Sequence, residues 1–214
     1  KLTGSARSLS IDRDFFQGIS IRSEFHNDGP RQFTHRIVPE GLSLESCMEL
    51  LQKAHKKDPS FQLGYVPDCD GDRGNLVFYD KTLGRARPLE AQEVFSLSCL
   101  AELAGLAGFS KNAPVAVVVN DATSARIERI AGFFSAKVFR AETGEANVVN
   151  LAEKLRLEGW TVRILGEGSN GGTITHPSKV RDPLSTLGAM IRLLRGGDKA
   201  DSPGLFRRWL EASG

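Results

Sequence analysis

The sequence predicts an α/β protein built from two consecutive three-layer α/β/α units with mixed, mostly parallel sheets. Two observations support this fold class. Segments with helical periodicity alternate with short apolar segments, and the β-branched run at residues 115–119 is typical of a strand covered on both faces. A connector near residues 81–88 divides the chain, so we expect a first domain at residues 1–82 and a second at residues 83–214.

In the first domain, the helix at residues 42–57 has the clearest sequence pattern. An apolar stripe runs along it, Ser43 is a candidate N-cap, and Pro59 follows its charged end. The other predicted elements are a short helix at residues 11–18 and strands at residues 19–25, 62–67 and 75–79. No strand pattern precedes Gly4, and the chain begins without methionine, so we expect a piece of a longer protein.

In the second domain, the helix at residues 89–106 is apolar on most faces, which indicates that it is buried. The helix at residues 183–194 begins with a proline, which suits a first helical turn. The other predicted elements are strands at residues 115–119, 136–140 and 161–165, helices at residues 123–134 and 145–157, and a short amphipathic end at residues 204–210.

The composition excludes several classes of protein. Lys and Arg number 28 and Asp and Glu number 26, a balance too even to predict binding to nucleic acid or to a membrane surface. No run of about 18 apolar residues occurs, which argues against a membrane span. Three cysteines without a C-x-x-C pair predict neither a disulfide framework nor a thiolate zinc site. Because no signal-peptide pattern is present either, we expect a cytoplasmic protein.

The sequence D-C-D-G-D-R is the first candidate site. It lies between two apolar strands, and its glycine permits a tight curve on which Asp68, Asp70 and Asp72 can converge. Three carboxylates so close repel one another unless a cation lies between them, and oxygen ligands suit Mg²⁺ or Ca²⁺. The following Arg73 is a candidate for holding phosphate oxygens. The loop therefore predicts a magnesium site for phosphate chemistry.

Two other interpretations of this loop are a calcium-binding hand and a solvated acidic turn. The calcium hand requires Gly at its sixth position and Glu at its twelfth, where this sequence has Arg73 and Tyr79. The spacing therefore argues against the calcium hand, while the acidic turn stays open.

The sequence G-E-G-S-N-G-G at residues 166–172 is the second candidate site. It follows the strand predicted at residues 161–165, and loops at the carboxyl ends of strands form the ligand crevice of open α/β sheets. Glu167 can accept hydrogen bonds from two vicinal hydroxyls of a sugar, and Ser169 can donate or accept one. A phosphate-binding P-loop is not predicted, because no Gly-Lys-Ser/Thr ending is present, whereas a flexible glycine turn stays open.

Together and in this order, the two loops resemble the metal loop D-G-D-A-D-R and the sugar loop G-E-x-S-G of the α-D-phosphohexomutases, the family of phosphoglucomutase and phosphomannomutase. Further positions that resemble the family's patterns are Asp28, Gly29, Phe33, His35, Pro39, Glu40, Leu63, Gly64, Thr143 and Gly144. The resemblance covers most of the chain. It implies the second of the family's four domains, truncated at its N-terminus, and the whole of the third.

The resemblance implies a magnesium-dependent enzyme that interconverts hexose 1-phosphate and hexose 6-phosphate through a phosphoserine and a bisphosphorylated sugar. The metal ligands that it implies are Asp68, Asp70 and Asp72. It assigns Arg73 to positioning the transferred phosphate, and the substrate-binding residues that it implies are Glu167, Ser169 and Asn170. The phosphoserine and a phosphate-binding loop would come from the family's first and fourth domains. Since this sequence contains neither loop, we expect the 214 residues alone to be inactive.

The sequence departs from the family's pattern at two places. Asn170 and Gly171 stand where the family continues its sugar loop with Gly-His, and residues 145–147 lack the lysine that often follows the Thr-Gly turn. The residues available to replace these contacts are Asn170, Asn147 and His176.

Two other functions stay open. A phosphatase-like hydrolase would use Asp68 of the acidic loop as its nucleophile and release free phosphate. A non-catalytic sugar-phosphate binding module would bind its ligand without turnover.

Overall fold

The chain divides into two compact units, Lys1–Glu90 and Ala91–Gly214. The structure is a computed structural model that describes residues 6–29, 32, 40–107, 113–168, 172–196 and 204. Each unit has its own sheet and helices, so the predicted α/β class is confirmed. Among the described helices, none has the length and apolar character needed to cross a membrane.

The first unit is built on a three-stranded antiparallel sheet in the order β1-β2-β3. Its strands are β1 (Leu63–Pro67), β2 (Gly74–Asp80) and β3 (Arg85–Pro88). Its α-helices are α1 (Asp12–Gly18) and α2 (Glu45–Lys57), the latter preceded by a 3-10 turn at Gly41–Leu44.

The core of the first unit lies between α2 and the sheet. Cys47 and Leu51 of α2 are buried with Val66 and Val77 of the strands. A Cβ atom at Gly64 would lie 2.8 Å from the Cys47 Sγ atom and 2.6 Å from Val77 Cγ2, so only glycine permits this approach of helix to strand.

The sheet of the first unit is antiparallel rather than parallel. Its strands are joined directly by residues 68–73 and 81–84, whereas a parallel pair needs a crossover of about a dozen residues or more. The connector predicted near residues 81–88 contains strand β3, which pairs with β2 at the edge of the sheet.

Two further predictions for the first unit are wrong. Residues 21–26 have no regular structure instead of forming a strand, since β-branched residues form a stable strand only with a partner. Ser43 is not the N-cap of α2: it is buried in the preceding 3-10 turn, and Leu44 occupies the N-cap position without a side-chain hydrogen bond.

The second unit is built on a four-stranded sheet in the order β5-β4-β6-β7. Its strands are β4 (Val115–Asn120), β5 (Lys137–Ala141), β6 (Thr161–Glu167) and β7 (Gly172–Thr175). The first three are parallel, and β7 is an antiparallel edge strand. The helices are α3 (Ala91–Ala107), α4 (Arg126–Phe133), α5 (Glu145–Leu157) and α6 (Pro183–Arg195).

Helices cover both faces of this sheet. On one face, Val148 and Ala152 of α5 pack against Ala116 and Val118 of β4. The alternate β4 residues point to the opposite face and are also buried, and α3 packs there with α6. Because α3 is enclosed between the sheet and its neighbouring helices, it is apolar on nearly every side.

The three parallel strands end at the same edge of the sheet, and this edge carries the second candidate site. β6 extends beyond its predicted end, so Glu167 is the last residue of a strand rather than part of a loop. The short strand β7 was not predicted, and α4 begins at Arg126 instead of residue 123. The amphipathic end expected at residues 204–210 lies outside the described residues except for buried Gly204.

Candidate functional site

The acidic loop of the first unit is a tight hairpin between β1 and β2. The Asp68 N–H donates to the Arg73 carbonyl at 3.0 Å and closes the loop. Asp68 Oδ1 accepts the N–H groups of Gly71 at 3.0 Å and of Arg73 at 3.2 Å. The first aspartate thus shapes the loop with its own side chain, as Asx turns do, and Gly71 completes the curve with a φ of +80°.

The loop brings together the three carboxylates that the sequence singled out. One oxygen from each of Asp68, Asp70 and Asp72 lies within 4.8 Å of the other two. Asp68 is buried, Asp72 is half-buried and Asp70 is exposed, so the cluster faces solvent on one side and the hairpin on the other.

Arg73 forms ion pairs with two acids of the cluster. Arg73 Nε lies 3.0 Å from Asp68 Oδ2 and 3.5 Å from Asp72 Oδ1. Burial raises the pKa of the Asp68 carboxyl above its ordinary value, and the charges of Asp72 and Asp70 raise it further, against the lowering effect of the Arg73 backbone hydrogen bond. Arg73 thus offsets part of the repulsion among the three acids.

The donor set of this loop fits a small hard cation. Ligand oxygens on one Mg²⁺ ion lie at most about 4.2 Å apart, since each lies about 2.1 Å from the metal. At least two of the three ligand pairs on an octahedral ion are adjacent, with oxygens about 3.0 Å apart. Separations of up to 4.8 Å therefore need closures of up to about 1.8 Å, which exposed side chains such as Asp70 accommodate by rotamer changes. All three ligands are carboxylates, the type that Mg²⁺ prefers over nitrogen or sulfur.

An unpredicted arginine lies against the acidic loop. The Ala6 N–H donates to the Cys69 carbonyl at 3.0 Å, which places the following Arg7 over Gly71. Arg7 is fixed there by buried Asp12, with Nη2 2.5 Å from Oδ1 and Nε 3.1 Å from Oδ2. No local pattern in the sequence predicts a contact between segments so far apart.

The second candidate site centres on Glu167 at the end of β6. Its side chain is buried, and Oε1 accepts the Gly144 N–H at 2.7 Å and the Asn120 Nδ2 group at 3.2 Å. Gly144 is the N-cap of α5, so the carboxylate also lies at the positive end of that helix. The structure therefore joins two segments that the sequence analysis singled out separately, the Glu167 loop and the Thr143-Gly144 turn.

Several predicted residues lie elsewhere or cannot be placed. Ser169 and Asn170 lie outside the described residues, as do Phe33, His35 and Pro39.

Other residues that the sequence analysis singled out make contacts away from Glu167. The Asn147 side chain donates to the Thr143 carbonyl at 3.3 Å and so stabilises its own turn. His176 is exposed on the chain after β7, and Asp28 forms an ion pair with Arg13.

Two buried residues at this edge were not predicted to have a role. Asn120 and Thr123 follow the apolar run of β4, and both contact the Glu167 segment. Their position in the sequence could have indicated this role, because polar residues directly after a buried parallel strand lie at the edge of the sheet where ligands bind. Their hydrogen bonds connect positions 45 and 47 residues apart, which no local pattern reveals.

Three solved structures share this architecture. The first is a chain from Thermus thermophilus assigned as a phosphomannomutase, with a TM-score of 0.64 and 19% sequence identity. The second is a phosphoglucomutase/phosphomannomutase family protein from Burkholderia thailandensis, with a TM-score of 0.70 and 16% identity. The third is the open form of pp63/parafusin, a phosphoglucomutase from Paramecium, with a TM-score of 0.66 and 18% identity. The chain has the fold of the phosphohexomutases. At this level of identity the likeness concerns the fold.

The matched region is nearly the whole of this chain and a minor part of the phosphohexomutase chains. The alignments cover 98%, 92% and 97% of the chain, which spans 43%, 40% and 36% of the three solved chains. No protein-family profile and no curated protein sequence matches it. The expected resemblance to phosphohexomutases is confirmed at the level of the fold.

Proposed function

We propose that this chain carries the metal loop and the sugar loop of a phosphohexomutase, an enzyme that interconverts hexose 1-phosphate and hexose 6-phosphate through a phosphoserine and a bisphosphorylated sugar. The observation that carries the proposal is the convergence of the Asp68, Asp70 and Asp72 carboxylates in a chain with a phosphohexomutase fold. Neither feature alone is specific, since acidic turns are common and one fold hosts many activities.

In this proposal the acidic loop holds Mg²⁺ through the three aspartates. When bound, the ion would neutralise negative charge on the phosphoryl group that is transferred. Asp68 shapes the loop, Asp70 and Asp72 supply the more accessible oxygens, and the half-exposed Arg73 orients a phosphate oxygen.

Sugar recognition is proposed for the segment that begins at Glu167. The carboxylate accepts hydrogen bonds from sugar hydroxyls, and Ser169 and Asn170 supply further polar contacts. The two units would correspond to the family's second and third domains. The phosphoserine and the phosphate-binding loop would be supplied by other domains, the partners of this chain in the complete enzyme.

The hydrolase alternative is less well supported by the geometry of Asp68. Its Oδ1 accepts two backbone N–H groups and its Oδ2 contacts Arg73, so both oxygens are engaged within the loop. Asp68 is also buried, whereas a nucleophile needs an accessible oxygen.

The test is a titration of the isotopically labelled chain, followed by the backbone amide signals. Mg²⁺ is added first and glucose 6-phosphate second. We expect Mg²⁺ to shift the amides of residues 68–73, and glucose 6-phosphate to shift those at Glu167 and Gly168. Asp70→Asn should abolish the first response, while the control Asp14→Asn, an exposed acid on α1, should leave it intact.

Two results would contradict the proposal. Release of inorganic phosphate from glucose 6-phosphate would favour a hydrolase. Shifts at Glu167 without any response of the acidic loop to Mg²⁺ would favour a non-catalytic sugar-phosphate binding module.

A further inference from the structure

The buried polar cluster at the carboxyl edge of the second sheet joins three separate loops. Asn120 ends β4, Gly144 precedes α5, and Glu167 ends β6. The Glu167 carboxylate accepts a hydrogen bond from each of the other two, at 3.2 Å and 2.7 Å. Burying a carboxylate is costly unless donors face it, so this cluster fixes Glu167 in one orientation.

Thr123 connects the cluster to the sugar loop. Its Oγ1 donates to Asn120 Oδ1 at 2.6 Å and accepts the Gly168 N–H at 3.1 Å. Because Asn120 Oδ1 takes the hydroxyl proton, the amide must turn its Nδ2 group toward Glu167. One hydroxyl therefore sets the orientation of Asn120 and holds the first amide after Glu167.

The loop that carries Thr123 is itself braced from two sides. Arg140 Nη1 contacts the carbonyls of Asn120, Asp121 and Thr123 at 3.1, 3.3 and 2.9 Å. On the α3 side, Gln92 accepts the Ser124 N–H at 3.0 Å and donates to the Ala122 carbonyl at 3.2 Å. A loop held this firmly provides a rigid support for the segment beside it.

We propose that Thr123 and Asn120 are positioning residues that pre-organise Glu167 and Gly168 for a ligand with vicinal hydroxyls. This inference rests on the proposed function, since the ligand class is the hexose phosphate assigned to that loop. A carboxylate fixed before the ligand arrives loses less conformational freedom on binding, so the cluster increases affinity without touching the sugar.

The test compares two isosteric replacements of buried threonines. Thr123→Val removes the hydroxyl that supports Gly168. Thr173→Val is the matched control: Thr173 lies in β7, after the same loop, and its buried hydroxyl has no hydrogen-bond partner among the described residues. Thr123→Ser keeps the hydroxyl and should restore the wild-type behaviour.

Two quantities are measured on the 214-residue chain, namely hydrogen exchange of the Gly168 amide and the dissociation constant for glucose 6-phosphate. For Thr123→Val we expect exchange to rise roughly fivefold to tenfold and the dissociation constant roughly threefold to tenfold, the effect of losing one hydrogen bond. Thr123→Ser and Thr173→Val should stay near the wild-type values.

The outcomes separate this inference from the proposed function. Exchange unchanged in Thr123→Val, or raised equally in Thr173→Val, overturns the positioning role. Raised exchange with an unchanged dissociation constant overturns the role in recognition. If the wild-type chain does not bind glucose 6-phosphate while Thr123→Val still frees the Gly168 amide, the sugar assignment fails and the support of Glu167 and Gly168 by Thr123 stands.

Discussion

Gly71 is the residue on which the shape of the acidic loop depends most. Its φ of +80° lies in the left-handed region, and a Cβ atom there would come within 2.6 Å of Arg7 Cδ. We predict that Gly71→Ala lowers the free energy of unfolding by about 1–2 kcal/mol from backbone strain, and by more because Arg7 must move. Urea denaturation followed by circular dichroism measures this loss.

Gly84 provides the matched control for this change. It also has a positive φ, +64°, but nothing lies within 4 Å of the Cβ position. Gly84→Ala should lower the free energy of unfolding through backbone strain only and leave Mg²⁺ binding unchanged. Gly71→Ala should in addition weaken Mg²⁺ binding. Equal losses of stability in the two variants would contradict the contact with Arg7.

The lowered pKa of His176 should make the stability of the fold depend on pH. Burial and the charges of Arg156 and Arg163 lower its pKa below the ordinary value of 6.5. The unfolded chain therefore takes up the proton first, and the free energy of unfolding falls as the pH drops through about 6.5 toward the lower folded pKa. The effect is small because the side chain is exposed. His176→Gln should flatten the unfolding free energy between about pH 7 and 5, and an unchanged slope would assign it to other groups.

The residues of the two sites were visible in the sequence to different degrees. Asp68, Asp70 and Asp72 lie within one loop, so their spacing alone indicated that they could converge. Glu167 was visible as part of a glycine-rich run, but its partners Gly144 and Asn120 are 23 and 47 residues away. Contacts of that kind arise when parallel strands end at one edge, and they depend on strand order, which the sequence does not display.

At the scale of elements, a buried acid ties three parts of the second unit together. Glu102 of α3 is buried and contacts Arg163 of β6 at 2.9 Å and Arg192 of α6. We predict that Glu102→Gln lowers the free energy of unfolding by about 1–3 kcal/mol, because a hydrogen-bonded charge is lost in a buried position. Urea denaturation followed by Trp fluorescence is the measurement.

Glu153 is the control for that prediction. It pairs with Lys179 at 3.0 Å on the surface, so Glu153→Gln should lower the free energy of unfolding much less than Glu102→Gln does. A loss as large as that of Glu102→Gln would mean that burial does not distinguish the two ion pairs.

Elements with a clear apolar pattern of their own were predicted well, and the two four-residue edge strands were not. Helix α5 matches its prediction at both ends, and α3, β1 and β4 match within two residues. The edge strands β3 and β7 have four residues each and were missed, because their pairing comes from a neighbouring strand and not from their own composition. Residues 19–25 were wrongly predicted to form a strand for the same reason, because no strand of the described residues pairs with them.

At the scale of the whole molecule, the proposed function predicts that these 214 residues lack mutase activity on their own. The chain spans 36–43% of three phosphohexomutase-fold chains. If other domains supply the phosphoserine and the phosphate-binding loop, the 214 residues should not interconvert glucose 1-phosphate and glucose 6-phosphate. A coupled assay of glucose 6-phosphate formation with Mg²⁺ present tests this, and turnover by the purified chain would contradict the division of roles.

Mn²⁺ binding followed by electron paramagnetic resonance determines whether the three aspartates of this hairpin loop bind a single hard cation. We expect one Mn²⁺ site per chain, displaced by Mg²⁺, with the dissociation constant raised at least about tenfold in Asp70→Asn and in Asp72→Asn. Asp14→Asn should bind as the wild type does. Absence of a saturable site in the folded chain, or equal affinity in all four proteins, would show that these aspartates do not form a cation site.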